Sequence, residues 1–271
     1  MALTGPAHDA DLARVTEALG MITPRWNVRV LLALSGPPQR YGSLVAKMPW
    51  MHSGQLHPKL QTLCDAGLVE RTEHTKHHVT YGHTDRGAAL LPVLPLIVTW
   101  AETYLEKPDR PLPAIEQIED SLVLLGRRRT PAILWALRSR GETSGQALAQ
   151  TVAPGNSNNT YAPLRQLVQD GLVETAGKGH PYRLTAAGDG LGPVFAALSA
   201  WAAGRPLTET AGHPVWGHRP DAPAQSPQVS SRPRQAPTTR PATVAVGTAW
   251  RNSDLFSHGP KATLPTGGPR R

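Results

Sequence analysis

The sequence predicts a mainly α chain with small β-hairpins, an α+β architecture in which one compact unit occurs twice in tandem before a basic tail. Three observations carry this. At 271 residues the chain exceeds one small core of about 100–150 residues, so two units are expected. The chain also repeats itself. LCDAGLVE (63–70) recurs 104 residues later as LVQDGLVE (167–174), while Tyr81-x-x-Thr84-x-x-Gly87 and Trp100 recur 101 residues later as Tyr182-x-x-Thr185-x-x-Gly188 and Trp201. The three-residue difference between the offsets places a shorter hairpin tip in the second copy. Finally, residues 205–271 hold eleven prolines and nine Lys/Arg against three Asp/Glu, so +6 of the net charge of +8 lies there. With few aliphatic residues, this stretch buries too little surface to offset an ordering entropy of about 1–2 kcal/mol per residue, and is expected to be a disordered basic tail.

The elements follow in order. Residues 1–17 form an N-terminal extension or helix. Thr23-Pro24 reads as an N-cap and a first-turn proline, opening a helix with Trp26, Val30, Leu31 and Leu34 on one side and a stop at Ser35-Gly36-Pro37-Pro38. A short helix is expected around Tyr41 to Lys47. After Pro49, the spacing of Leu56, Leu60, Leu63 and Cys64 predicts a third helix ending on Gly67. Gly67 to Arg71 and Val79 to Tyr81 are β-prone and flank the polar, His-rich stretch Thr72 to His78, which reads as a hairpin. Thr84-Asp85-Arg86-Gly87 starts a long apolar helix to about Tyr104. Three helices, a hairpin and a long helix make a winged helix-turn-helix. The first unit covers 18–106, a linker 107–120, a degenerate second copy 121–204, and the tail 205–271. Pro58 and Pro163 fall inside the third helices, where a proline costs about 3 kcal/mol unless the helix starts late, near His57 and Asn159.

The segments LGMITPRWNVRVLLAL (19–34), GPPQRYGSL (36–44), CDAGLVER (64–71), YGHTDRG (81–87) and LLPVLPLIVTWAE (90–102) resemble the HxlR-type winged-helix regulators, related to the MarR-like group. LLGRRRTPAILWAL (124–137), LVQDGLVE, YRLTAAG (182–188) and LSAWA (198–202) resemble them more weakly, with the RYGSL match faded. The resemblance implies a sequence-specific, double-stranded-DNA-binding transcriptional regulator. Its third helix lies in the major groove, its wing touches the backbone, and its first and last helices pair two domains across half-sites about 34–36 Å apart. Here the two fused copies would form a pseudo-dimer within the chain, with a homodimer as a further option, and the operator would be an imperfect inverted repeat. By this resemblance Ser53, Gln55, His57 and Lys59 face bases, and Arg40 and Lys76 face phosphates. In the second copy Asn156, Asn158, Asn159, Tyr161 and Arg165 take the corresponding face, with Lys178 on the shorter wing. The plain alternative for each is a solvated polar position. A second copy that kept the fold and lost groove binding is the alternative for the whole unit.

Other chemistries find little support. Cys64 is the single cysteine, so no internal disulfide and no multi-cysteine metal site is expected. It falls on the apolar stripe of the third helix, where a thiol stays protonated, and Leu12 stands about where many members of the family carry a sensing cysteine. Six of eleven histidines lie between His52 and His83, but His74-x-x-His77-His78 lacks an acidic or thiol ligand at useful spacing, so neither metal nor cofactor is expected. A wing that charges as pH falls through about 6.5 would bind DNA more tightly in acid. No GxSxG, GxxxxGK[ST], HExxH or CxxC motif is present, and an enzyme is not expected. The longest apolar stretch, Leu90 to Ala101, carries Pro92 and Pro95 and falls short of the ~20 residues of a membrane span. With MALTGPAHDADLAR offering no export signal, the expected place is the cytoplasm, in association with the nucleoid. A small-molecule effector would take a pocket between the domains and the long helices. The rival reading is a protein–protein interaction module in which the tail, with Trp216 and Trp250, is a binding segment and its arginines (Arg232, Arg234, Arg240) give only non-specific contacts.

Overall fold

The computed structural model describes residues 6–106, 111–156 and 158–217, leaving aside the side chains of residues 6–9 and 53. The first half runs α1 (Pro6–Ile22), α2 (Asn27–Ala33), β1 (Gln39–Arg40), α3 (Tyr41–Lys47), α4 (Ser53–Asp65), β2 (Val69–Thr75), β3 (His78–His83), α5 (Asp85–Leu90), a 3-10 turn (Leu91–Val93) and α6 (Leu94–Tyr104). The second runs α7 (Ala114–Leu125), α8 (Thr130–Arg140), α9 (Gly145–Val152), α10 (Asn158–Gln169), β4 (Val173–Thr175), β5 (Tyr182–Leu184), α11 (Ala186–Asp189) and α12 (Gly192–Ala202), followed by a 3-10 segment (Leu207–Gly212). The result is helical with two small antiparallel sheets, ordered β1-β3-β2 and β4-β5.

The same local devices build both halves. After α4 and α10 the chain turns on Gly67 (φ +67°) and Gly171 (φ +71°), left-handed positions that favour glycine. Leu68 N–H then bonds Leu63 O, and Leu172 N–H bonds Leu167 O, which satisfies orphan carbonyls of the last helical turn. Thr84 and Thr185 cap α5 and α11 by accepting from Gly87 N–H and Gly188 N–H, while their hydroxyls donate to Gly67 O and Gly171 O. Gly87 and Gly188 are obligatory for space: a Cβ would lie 1.9 Å from Leu68 O and 2.1 Å from Leu172 O.

Several expectations shift. The first helix of the unit begins at Asn27 rather than Thr23, because Trp26 takes a left-handed φ of 72° and breaks the run from α1; Arg129 (φ 69°) does the same before α8. The described part of the 1–17 extension, from Pro6 onward, belongs to a helix that continues to Ile22. α4 starts at Ser53, not near His57, while α10 starts at Asn158. Each proline is therefore the sixth helical residue, where its missing N–H frees only the carbonyl of Gly54 or Asn159 at an exposed helix end. The wing strands extend through the His-rich stretch and leave only Lys76 and His77 at the turn, with Arg71 opposite Tyr81 and Thr75 opposite His78. In the second half an isolated Thr143–Tyr182 bridge stands where β1 pairs β3 in the first. The helical run Asp85–Tyr104 is long and apolar enough to cross a membrane, longer than the Leu90–Ala101 stretch suggested. In the fold it carries core residues Leu90, Val93, Leu94, Ile97 and Trp100.

The largest departure follows α12. Residues 205–217 are part of the fold rather than tail: Val215 packs against the core and Trp216 is 2% exposed. Residues 218–271, which include Arg232, Arg234, Arg240 and Trp250, lie outside the described residues.

The two halves share one core and exchange contacts reciprocally. α1 packs on α12, and α6 packs on α7. Trp100 Nε1–H donates to Ala187 O at 2.9 Å, and Trp201 Nε1–H, 101 residues on, donates to Arg86 O, 101 residues back from Ala187, at 2.8 Å.

Candidate nucleic-acid interface

In the first half α3 and α4 form a helix-turn-helix held from beneath by α2. Leu56, Leu60 and Leu63 bury one side of α4, which turns the opposite side outward at helical spacing. Gln55 and Lys59, four residues apart, share one flank of that exposed side, and His57 lies with Gln61 on the other. Gln55 and His57 are exposed and Lys59 is half-buried; Ser53 is the first helical residue, and its side chain lies outside the described set. Gly54, Gln61 and Thr62, which the sequence analysis passed over, sit on the outward face. Their signal was present in the spacing, since they lie opposite Leu56 and Leu60. Gln61 donates to Asp65 at 2.7 Å and Thr62 to Pro58 O at 2.9 Å.

In α10, Thr160, Leu164 and Leu167 are buried. Asn158, Tyr161 and Arg165 fall on one flank at i, i+3 and i+7, and all are exposed. Asn159 turns to the other flank beside Gln166, and Asn156 precedes the helix. Tyr161 leans over the start of α9, where its ring and that of Tyr182 are the nearest groups to Gly145.

The wings differ. Lys76 occupies the exposed tip of the longer one, and Lys178 the exposed loop between β4 and β5. Arg40 is the N-cap residue of α3 and at the same time lies in β1 opposite Thr80, at the middle of the wing. His74 and His78 stack with ring centroids 4.7 Å apart, and His74 Nε2 and Thr80 Oγ1 are 2.9 Å apart in a hydrogen bond. Desolvation, then the nearby Arg40 and His74, hold His78 below the usual histidine range, so it takes up a proton only at lower pH than the sequence suggested. His83 is likewise held low by burial, partly opposed by its Nε2–H bond of 2.8 Å to Leu31 O. Burial first, then the Asp65 carboxylate, raise the Cys64 thiol against an opposing Arg71. Among the described residues no cluster of three His, Cys, Asp or Glu is arranged around a cation.

Two exposed arginines were missed. Arg25 and Arg128 stand 103 residues apart, each just before the approach to the unit's first helix. Arg25 covers Trp26 at 4.6 Å, and Arg128 lines a hollow with Ala162, Pro163 and Gln166 of α10. A basic residue two positions before the first residue of α2 and of α8 was the available sign. Arg127 is paired with Asp170, and Arg183 with Glu174 at 2.7 Å. Between the end of α6 and the start of α7 a cleft of about 400 Å³ is lined by Ala101, Glu102, Leu105, Leu112, Gln117 and Asp120. The cleft lies between the two halves, beside α6.

The HxlR-like helix-turn-helix family model matches residues 21–109, the span from the end of α1 past α6. The chain is 34% identical over 85 residues to the uncharacterized HTH-type transcriptional regulator YdzF of Bacillus subtilis (strain 168), covering 30% of this chain and 78% of that protein. The chain belongs to the HxlR-like helix-turn-helix family. Two further relatives from the same organism are the uncharacterized HTH-type transcriptional regulator YvaP, 28% identical over 95 residues (34% of this chain, 88% of the relative), and the HTH-type transcriptional regulator YodB, 26% identical over 98 residues (35% and 88%). DNA binding and transcription regulation come with membership of the HxlR-like family, whose relatives here are named as regulators rather than enzymes. The burial of Trp216 also removes one of the two tryptophans on which the interaction-module alternative rested.

Proposed function

We propose that this HxlR-like protein is a sequence-specific regulator that reads double-stranded DNA with α4 and α10 together, as a pseudo-dimer within a single chain. The exchange of Trp100 and Trp201 hydrogen bonds between halves, at one offset of 101 residues, carries the proposal. In a two-fold interface residue i meets j and j meets i, and these bonds have that form. The reciprocal packing of α1 on α12 and α6 on α7 supports the same reading. The repeated caps, glycines and prolines support a tandem origin of the halves: residues 18–106 and 121–204 are the two units, and α7, which starts at Ala114, takes up part of the expected linker 107–120.

In this reading Gln55, His57 and Lys59 face one half-site with Ser53, and Asn158, Tyr161 and Arg165 face the other with Asn159. Gln and Asn pair with adenine edges, Lys and Arg with guanine. Arg40, Lys76 and Lys178 bind phosphates and set register. α10 keeps a full exposed polar flank, which favours groove binding by both helices over a second copy that is only scaffold. Because the two flanks differ, the operator is an imperfect inverted repeat.

Selection of bound duplexes from a random pool tests this, using the full chain at physiological salt with excess competitor DNA to absorb tail contacts. A split, asymmetric motif with half-site centres about 34–36 Å apart is expected. A perfectly symmetric motif or a lone half-site overturns the two-headed reading, and no enrichment overturns sequence-specific binding.

A further inference from the structure

Reciprocity leaves one tie unaccounted for. α6 and α7 pack together and the chain itself runs between them, through residues 105–113. The equivalent pair, α12 and α1, also packs together, but there the chain offers no peptide link. At that junction the described residues form a buried polar cluster.

Asp11 of α1 is 6% exposed. Its Oδ1 accepts from Ser199 Oγ of α12 and from His213 Nε2 at 3.0 Å; its Oδ2 accepts from Trp216 Nε1 at 3.0 Å. His213 Nδ1 in turn accepts from Val215 N–H and Trp216 N–H at 3.2 and 3.0 Å, so the proton on this imidazole sits at Nε2, aimed at Asp11. The Trp216 ring lies 4.7 Å from that of Phe195 on α12. From the other side Arg138 of α8, 8% exposed, donates to Val215 O at 2.6 Å, to Gly217 O and Asp189 O at 2.9 Å, and to the Asp189 carboxylate at 2.5 Å. Gly192 lets the strand of chain pass: a Cβ there would lie 2.7 Å from Trp216 O. The cluster contains Ser, His and Asp, but it is not a hydrolytic triad. The serine hydroxyl donates to the carboxylate instead of the imidazole, and Ser199 is fully buried.

We propose that residues 205–217 are a strap that ties α12 to α1 and thereby fixes the angle between the two reading helices, with Asp11, Ser199, His213, Trp216 and Arg138 as its positioning residues. The strap supplies, through side chains, what residues 105–113 supply through the backbone on the opposite side. Every donor and acceptor of the cluster is matched, so it has one geometry rather than several. Two linked heads gain affinity from each other only when their geometry allows both to engage, so a fixed angle converts into selection of half-site spacing. The inference rests on the two-headed reading above.

The test has one arm without DNA and one with it, both on the full chain. Spin labels at Asp65→Cys and Gln169→Cys, the ends of α4 and α10, in a Cys64→Ser background report the distance between the heads. A narrow distribution is expected for the parent, a broadened one for His213→Leu and Trp216→Ala, and recovery for His213→Gln, whose amide both donates and accepts. Unchanged distributions in the first two variants overturn the strap. On duplexes from the selection, the parent is expected to discriminate at least about tenfold against a two-base-pair insertion between half-sites; His213→Leu and Trp216→Ala should discriminate less than about threefold and bind a single half-site within about twofold of the parent. An equal loss on every duplex overturns positioning in favour of a merely structural role. A parent that selects no split duplex, with variant distances broadened as expected, overturns the two-headed reading while leaving the strap in place.

Discussion

At the scale of the residue, Gly87 and Gly188 show how tightly the hairpins are joined to the helices that follow. Replacing either with alanine sets a methyl group against the carbonyl of Leu68 or Leu172, both backbone atoms. Urea denaturation should show each Gly→Ala variant destabilised by about 1–3 kcal/mol, the range for overpacking a filled site. Titration gives a second expectation. Burial alone would raise the Asp11 carboxyl, but the bonds from His213, Ser199 and Trp216 outweigh it and hold the group below its ordinary 3.8. A carboxyl lowered on folding adds stability above its unfolded value, and that stability is lost as pH falls through the folded one. His83, held below its ordinary 6.5, is a base that stays neutral when folded, so its contribution is complete above about 6.5 and is lost as pH falls below it. Thermal melts across pH should therefore decline in two stages. Asp11→Asn should abolish the acid-most stage, and His83→Gln should reduce the milder one, to which His78, also held low, contributes.

At the scale of the element, α4 and α10 show what spacing conveys. α4 was legible because Leu56, Leu60 and Leu63 mark a buried side, and α10 because LVQDGLVE repeats the LCDAGLVE that closes α4. Which polar residues act together was less legible, since a list of non-stripe residues mixes two flanks; only helical geometry separates Gln55 and Lys59 from His57, or groups Asn158 with Tyr161 and Arg165. Binding to variant operators should show Lys59→Ala and Arg165→Ala each losing about 1–3 kcal/mol and relaxing preference in one half-site only. Lys76→Ala and Lys178→Ala should weaken binding to all sequences alike and lower the salt slope by about 1. α9 is the opposite case: its sequence match had faded, yet Ser144 caps it and Leu148 and Ala149 anchor it, because a short helix needs a cap and a buried edge rather than a particular sequence.

At the scale of the whole molecule, the two tryptophans form the seam. Each indole N–H meets a backbone carbonyl of the other half, so Trp100→Phe and Trp201→Phe each remove one bond across the seam, at about 0.5–1.5 kcal/mol. Melting of the single and double variants should show this, with losses that are not additive because the bonds span one interface. In the proposed pseudo-dimer a chain pairs its own halves and needs no second copy on the operator. Sedimentation with the selected duplex should accordingly show one chain per DNA.

Order of elements, duplication of motifs, the buried stripes and the absence of catalytic motifs could all be read from residue types and spacing, since each depends on neighbours a few positions apart in the chain. The junction of the halves could not. Asp11 and His213 are 202 residues apart, and nothing local distinguishes a solvated aspartate from a buried one or a proline-rich tail from a strap. Trp216 looked like a tail residue because its own segment offers no periodic apolar partner; its partners, Phe195 and Asp11, come from helices that only folding brings together. Burial is a property of the packed chain, and that is where the place of residues 205–217 was decided.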